Sequence, residues 1–300
     1  MQNIDTRKRI WNYAQLAIIA LLCAATLLLD FIEISFIEDT VRNRFISKIV
    51  QQGLGAAAAI MVMCRLKLQL FGKPQHLLYM IPCLIIAIDN FQFSSYFNGN
   101  MQLVHNQPLD FILFGGYCLA VGLFEECIFR GIIFSVLVSC FPQNKKGLWK
   151  SYIISSVFFG AAHLFNGFSM ATILQIAYST LTGGLFAFVL LKTKNIFCCA
   201  LVHATYNFCG LLFDIPERMG LGSGIVFDLG TVITMLVVSI TVGAFILYSV
   251  FKYSEEERCC LYTKLGVPMK EKAEEVIESA DDSIATDTLE SQEETTNTIE

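Results

Sequence analysis

Charge is scarce in this 300-residue chain. Only 16% of its residues are Asp, Glu, Lys or Arg, while 55% are hydrophobic. Soluble domains carry about 25% charged residues, so this composition excludes an ordinary water-soluble domain. The mean hydropathy of +0.58 points the same way, to a bundle of membrane helices. Several chemical signatures are also missing. No Cys-x-x-Cys pair recurs at zinc-finger spacing, no Gly-x-Ser-x-Gly elbow offers a nucleophile, and no His-Glu-x-x-His is present. Their absence removes the usual sequence grounds for a structural zinc module, a serine hydrolase and a compact zincin. Rossmann and P-loop glycine patterns are missing too, as is any repeat of fixed period, and nothing points to nucleic acid.

What is present is apolar sequence in long runs. A stretch of about 20 apolar residues can cross the hydrocarbon core as a helix. Eight candidates can be marked, at 14–35, 48–64, 77–95, 108–127, 151–167, 170–191, 196–213 and 225–251. Most of the 11 cysteines lie inside such runs, where they act as small hydrophobes. Cys259 and Cys260 instead follow the last run, at a juxtamembrane position of the kind that S-palmitoylation uses. With the N-terminus in the cytosol, Arg7–Arg9, Arg65, Lys67, Lys73, Lys145, Lys146, Lys150, Lys192, Lys194 and Lys252 all fall on the inner side. That distribution follows the positive-inside rule. Arg42, Arg44 and Lys48 form an exception in an outer loop. The expected architecture is therefore an all-α, polytopic, integral membrane bundle of about eight spans with both termini cytosolic.

The chain divides into N-terminal spans at 1–107, a core at 108–213, a last span within 214–253 and a tail at 254–300. The tail, ending "EKAEEVIESADDSIATDTLESQEETTNTIE", is acidic, lacks aromatics and carries few apolar residues. Such composition cannot bury enough surface to fold alone, so the tail is expected to be disordered.

Polar residues interrupt the core runs. In "GLFEECIFRGIIF" (122–134), Glu126 and Arg130 stand four apart, on one helical face, in the favourable order for an ion pair. Glu125 points about 100° away, a buried carboxylate in need of another partner. Of four histidines, His76 and His105 fall between spans, while His163 and His203 fall within them. Phe159 and His163 share a face, as do His203 and Asn207. Three helices thus deliver polar groups to the membrane interior, where such groups are costly. A single intramembrane His or Asn is often interhelical glue, but this many together indicate a site. Asp30, Glu33, Asp89 and Asn90 lack this helical pairing with histidine and read as interfacial or structural.

A carboxylate, two imidazoles and an amide can hydrolyse a bond with activated water. Glutamate would serve as general base beside one histidine, and the second histidine and asparagine would donate to an oxyanion. The same residue types, Glu125, His163 and His203, are an alternative ligand set for zinc.

"EECIFR" (Glu125–Arg130), "FGAAH" (Phe159–His163) and "HATYN" (His203–Asn207) match Glu-Glu-x-x-x-Arg, Phe-x-x-x-His and His-x-x-x-Asn in order. Together they resemble the CPBP, or Abi, family of intramembrane proteases, which includes CaaX prenyl endopeptidases and bacteriocin-processing or immunity proteins. The resemblance covers about residues 108–213. It implies an eight-helix bundle that cuts peptide bonds near a membrane surface, on prenylated or bacteriocin-like substrates among others. By position it gives Glu125 and His163 the activation of water, and His203 and Asn207 the oxyanion site. Glu126, Arg130 and Phe159 complete the motifs. The family is often labelled metalloprotease, but the side chains favour a mechanism with no metal cofactor, zinc being the alternative. Two other readings compete with the enzyme. One is a non-catalytic immunity or scaffold protein of the same fold, which would have no need of the full motif set. The other is a transporter with a proton relay, which would show repeated halves, and none is evident.

Overall fold

Side-chain caps decide where most of the helices begin. The computed structural model describes residues 40–267, so the expected 14–35 span and most of the acidic tail lie outside the described residues. Thr40 caps α1 (Val41–Arg65), its hydroxyl accepting the Asn43 N–H. Gln107 and Asp110 form a reciprocal capping box at the start of α4 (Pro108–Glu126), with Pro108 in the first helical position. Asn144, Ser169, Asn195, Asp228 and Ser254 cap α6 (Lys145–Ala162), α7 (Met170–Thr193), α8 (Ile196–Leu211), α9 (Leu229–Phe251) and α10 (Glu255–Lys264). Each cap satisfies a backbone N–H that the first helical turn leaves without a partner.

The spans differ from the hydropathy reading in their ends. α1 starts at residue 41, not 48, so Arg42, Arg44 and Lys48 are helical rather than loop residues. Arg42 pairs with Asp110 at 2.6 Å, and Arg44 donates to the Pro216 carbonyl at 3.0 Å. The 77–95 stretch is broken into a 3₁₀ turn (Leu77–Tyr79), α2 (Met80–Asp89) and α3 (Phe93–Phe97). The break falls at Gln92, whose φ of 55° no helix accommodates. The 108–127 stretch does not end at 127. It runs on through wide π turns (Cys127–Ile133) into α5 (Phe134–Cys140). The 151–167 stretch is helical only to Ala162, and His163 opens a 3₁₀ turn (His163–Asn166). Among the described residues, three helices are long and apolar enough to cross a membrane alone: Val41–Arg65, Thr172–Thr193 and Leu229–Phe251. Eight complete spans are therefore not what the described residues contain. α9 explains why the protein is nonetheless an integral membrane protein. Leu229, Leu236, Val237 and Ile240 are all exposed on it, and such a surface is stable only against lipid.

The helices run alternately between two ends. α4 packs most extensively on α8, α6 on α7, and α1 on α4. Glycine permits the α6–α7 contact. A Cβ on Gly160 would strike Thr180, and one on Gly183 would lie 3.0 Å from the Ser156 carbonyl oxygen. These glycines therefore serve close packing. Asn90 is structural as well, donating to the Tyr206 carbonyl of α8 at 3.1 Å. At the first end, loop residues Leu103 and Gly222 form an isolated antiparallel bridge. At the second, Gln69 N–H donates to the Lys264 carbonyl and Ile196 N–H to the Leu70 carbonyl. The basic residues 65–73, 145–150, 192–194 and 252 gather at this second end.

Asp228 joins two elements with one carboxylate. Its Oδ1 accepts the Thr231 N–H (2.7 Å), and its Oδ2 accepts from Ser94 (3.0 Å) and Asn98 (2.8 Å) of α3 and the residue after it. These bonds, the backbone one foremost, hold the Asp228 carboxyl down to about 2. An unfolded aspartate titrates near 3.9, so the stabilisation is full above about pH 4 and fades as pH falls towards 2. Thermal melts of the detergent-solubilised protein should show wild type losing stability faster than Asp228→Asn over this window. Parallel curves would refute the linkage.

Candidate active site

The π turns place the site. The Phe134 N–H reaches back five residues to the Phe129 carbonyl, where an α-helix would reach four. That widening lies just beyond Glu125 and Glu126, at the middle of the 108–140 rod. π turns recur at functional sites. Gly131 lets Met63 of α1 press against the widened turn.

Glu126 and Arg130 are paired as their spacing predicts, Nε to Oε2 at 3.1 Å, and both side chains have 0% exposure. The guanidinium also donates from Nη2 to the Gly183 carbonyl at 2.9 Å. It lies 4.3 Å over the ring of Phe159 and 5.3 Å over that of Phe186, a cation–π setting that eases burial of its charge.

The other oxygen of Glu126 holds His203. Nδ1 lies 2.8 Å from Oε1, and a carboxylate at that distance selects the tautomer that donates from Nδ1. Nε2 then faces the opposite way, 3.8 Å from Glu125 Oε2. The imidazole plane is fixed by Phe186, stacked at 4.4 Å and 14°, and by the edge contact of Phe159 at 5.7 Å and 80°. Glu125 is not the buried carboxylate that its helical position suggested. Its side chain is 29% exposed, and the group next to it is His203. Among the described residues, its sequence neighbour Glu126 takes the fully buried place.

Phe159 links the two histidines. Its ring touches His203, and it touches His163 at 5.5 Å. His163 Nδ1 is 3.1 Å from the Phe159 carbonyl oxygen, which leaves Nε2 as its outward nitrogen. Asn207 follows His203 by one turn of α8 and is half-buried. The site therefore has two layers. Glu126, Arg130, His203, Phe159 and Phe186 form a buried floor. Glu125, His163 and Asn207, all partly accessible, belong to the layer above.

Phe186 escaped the sequence reading. The one signal available was its place three residues after Gly183, on the face of α7 that meets Arg130. As for a metal, among the described residues no three His, Cys, Asp or Glu side chains converge to hold an ion. Glu125, His163 and His203, the alternative zinc set, are not gathered as such a group.

A glutamate–arginine–histidine floor beneath a glutamate, a histidine and an asparagine, inside membrane helices, is the arrangement on which the CPBP resemblance rests. Residues 107–209 match the family model for Type II CAAX prenyl endopeptidase Rce1-like proteins. A protein of Saccharomyces cerevisiae, CAAX prenyl protease 2, is 31% identical over 111 residues, covering 32% of this chain and 35% of the yeast protein. The chain thus spans about a third of the length of that curated relative. No solved structure matches the chain.

Arg130→Ala should strand Glu126 without a counter-charge in a site closed to water. Breaking a buried pair in this way costs about 3–5 kcal/mol. The thermal midpoint of the purified variant should fall well below that of wild type, and an equal midpoint would refute the pairing's role.

Proposed function

We propose that the protein is an intramembrane endopeptidase that hydrolyses a peptide bond near the membrane surface, of the CaaX type, with residues 108–213 as its catalytic core. The observation that carries this reading is the orientation of His203. Glu126 locks Nδ1 at 2.8 Å, and Nε2 is turned towards Glu125 at 3.8 Å. A histidine serving only as interhelical glue would need no second carboxylate beside its free nitrogen.

In this mechanism, water sits between Glu125 and His163. Glu125 takes a proton from it, and the hydroxide attacks the scissile carbonyl carbon. The oxyanion of the tetrahedral intermediate receives hydrogen bonds from His203 Nε2, in its protonated form, and from the Asn207 amide. Glu126 steadies the charge on His203 through Nδ1, and Arg130 gives Glu126 a counter-charge in its closed setting. Glu125 then returns its proton to the leaving nitrogen. No step passes through a metal. The end that gathers the loop lysines is assigned to the cytosol, and the substrate is a peptide or protein at the membrane, with prenylated C-terminal peptides tried first.

The test is cleavage of a farnesylated CaaX peptide and of non-prenylated membrane peptides by the purified protein, with and without a strong zinc chelator. Glu125→Ala should lower turnover by about 10²–10⁴-fold, whereas turnover in wild type should resist the chelator. Loss on chelation with recovery on zinc would overturn the metal-free route. Well-folded wild type that cuts no peptide would favour the non-catalytic reading. Asn207→Ala should lower turnover by about 10²–10³-fold at an unchanged thermal midpoint, and full turnover would remove it from the oxyanion site.

A further inference from the structure

An amide with no acceptor stands in the apolar run of α1. Gln51 is 6% exposed, and among the described residues its Nε2 has no hydrogen-bond partner. A buried donor left unmade costs free energy, whereas an apolar side chain of the same shape would cost nothing there. Gln51 is therefore not in this helix for the stability of the protein alone.

Its depth follows from the neighbours of α4. α1 runs beside α4 in the same direction: Arg42 pairs with Asp110, the Phe45 ring lies 5.7 Å from that of Phe114, Gly55 meets the Phe124 ring, and Met63 meets Gly131. α8 runs the opposite way on α4, with Phe208 beside Gly115 and Ala204 beside Gly122. Gln51 precedes Gly55 by one turn, so it falls between Glu125 and Asn207 in depth. Its direction follows from spacing. Gln51 shares a face of α1 with Arg44, seven residues before it, and Gly55, four after it. On that face Arg44 donates to the Pro216 carbonyl just beyond α8, and Gly55 touches the residue next to Glu125. The face that carries Gln51 thus runs from the end of α8 to the side of Glu125, along the accessible layer of the site.

A peptide drawn between membrane helices brings main-chain carbonyls that lose their water and need donors. We propose that Gln51 Nε2 donates to a main-chain carbonyl of the bound peptide, other than the scissile one, and so holds the chain in register with Glu125 and Asn207. This deepens the endopeptidase reading and rests on it. Gln51 is then a substrate-positioning residue that touches no reacting atom. Every peptide has such a carbonyl, so the contact is independent of the prenyl group.

Steady-state cleavage by the full-length purified protein tests this, with the farnesylated CaaX peptide and any non-prenylated peptide that wild type cuts. Gln51→Met keeps the length of the side chain and removes the donor. It should raise KM about two- to tenfold, the effect of one hydrogen bond, with a smaller change in kcat and the same factor for both peptides. Without peptide, its thermal midpoint should equal or exceed that of wild type, because the unpartnered donor is gone. Gln51→Leu should act in the same way and stands in should Gln51→Met fail to fold. Wild-type KM in the folded variants would overturn the proposal, as would a rise confined to the farnesylated peptide. So would a lowered midpoint, since the amide would then be partnered within the chain, residues 1–39 included. Wild type that cuts no peptide would sink the endopeptidase reading and this proposal together, whereas wild-type KM in the variants sinks the proposal alone.

Discussion

One carboxylate organises the centre of this protein. Glu126 is closed to water and holds two partners that come from different directions. Arg130 approaches from its own rod one turn on, and His203 from α8. Neither partner would be tolerable there alone. A guanidinium without a counter-charge would drag water into the bundle, and an imidazole without an acceptor would be free to rotate. With Glu126 between them, each charge faces a partner, and Phe159 and Phe186 close around them. The accessible layer of Glu125, His163 and Asn207 is thus built on a floor whose geometry is set before any substrate arrives. That is the condition under which fixed dipoles act strongly in a site of low dielectric.

The floor in turn explains much of the helix packing. Arg130 reaches the Gly183 carbonyl because α6 and α7 lie close enough to bring α7 inward. They lie close because Gly160 and Gly183 carry no side chain at the crossing. Phe159, whose Cβ lies against Gly183 at the same crossing, meets both the guanidinium and the two histidine rings. A packing feature and a chemical one therefore share the same few residues, and neither can be altered without the other.

The legible and illegible parts of the site divide along physical lines. Pairings within one helix could be read from spacing, since residues four apart must share a face. Glu126 with Arg130 is the clear instance. The three motifs could be read in order for the same reason. Contacts between helices could not. Nothing in the spacing of Glu125 and Glu126 said which would be closed in by α8, and the general expectation of a buried Glu125 was inverted. Phe186 was invisible because an aromatic residue in a membrane run has many uses. Hydropathy windows found the apolar stretches but misplaced their ends. A window averages composition, whereas Thr40 and Asn144 start helices with single hydrogen bonds, and Gln92 interrupts one with a single backbone angle.

The wide turns at Cys127–Ile133 carry a consequence for the register of the rod. A π turn holds one more residue than the α-helix around it, so it behaves as a built-in phase shift. Upstream, Asp110 faces Arg42 of α1 and Glu126 faces His203 of α8 in one helical register. Downstream, Ser135 and Val138 of α5 keep another, offset by roughly 100°. Removing any one residue from this segment would erase the shift without changing the hydrophobic character of the run. Either the carboxylates would turn away from α8, or α5 would turn its buried face outward to lipid. The rod can satisfy both neighbours only while it is one residue out of step with itself.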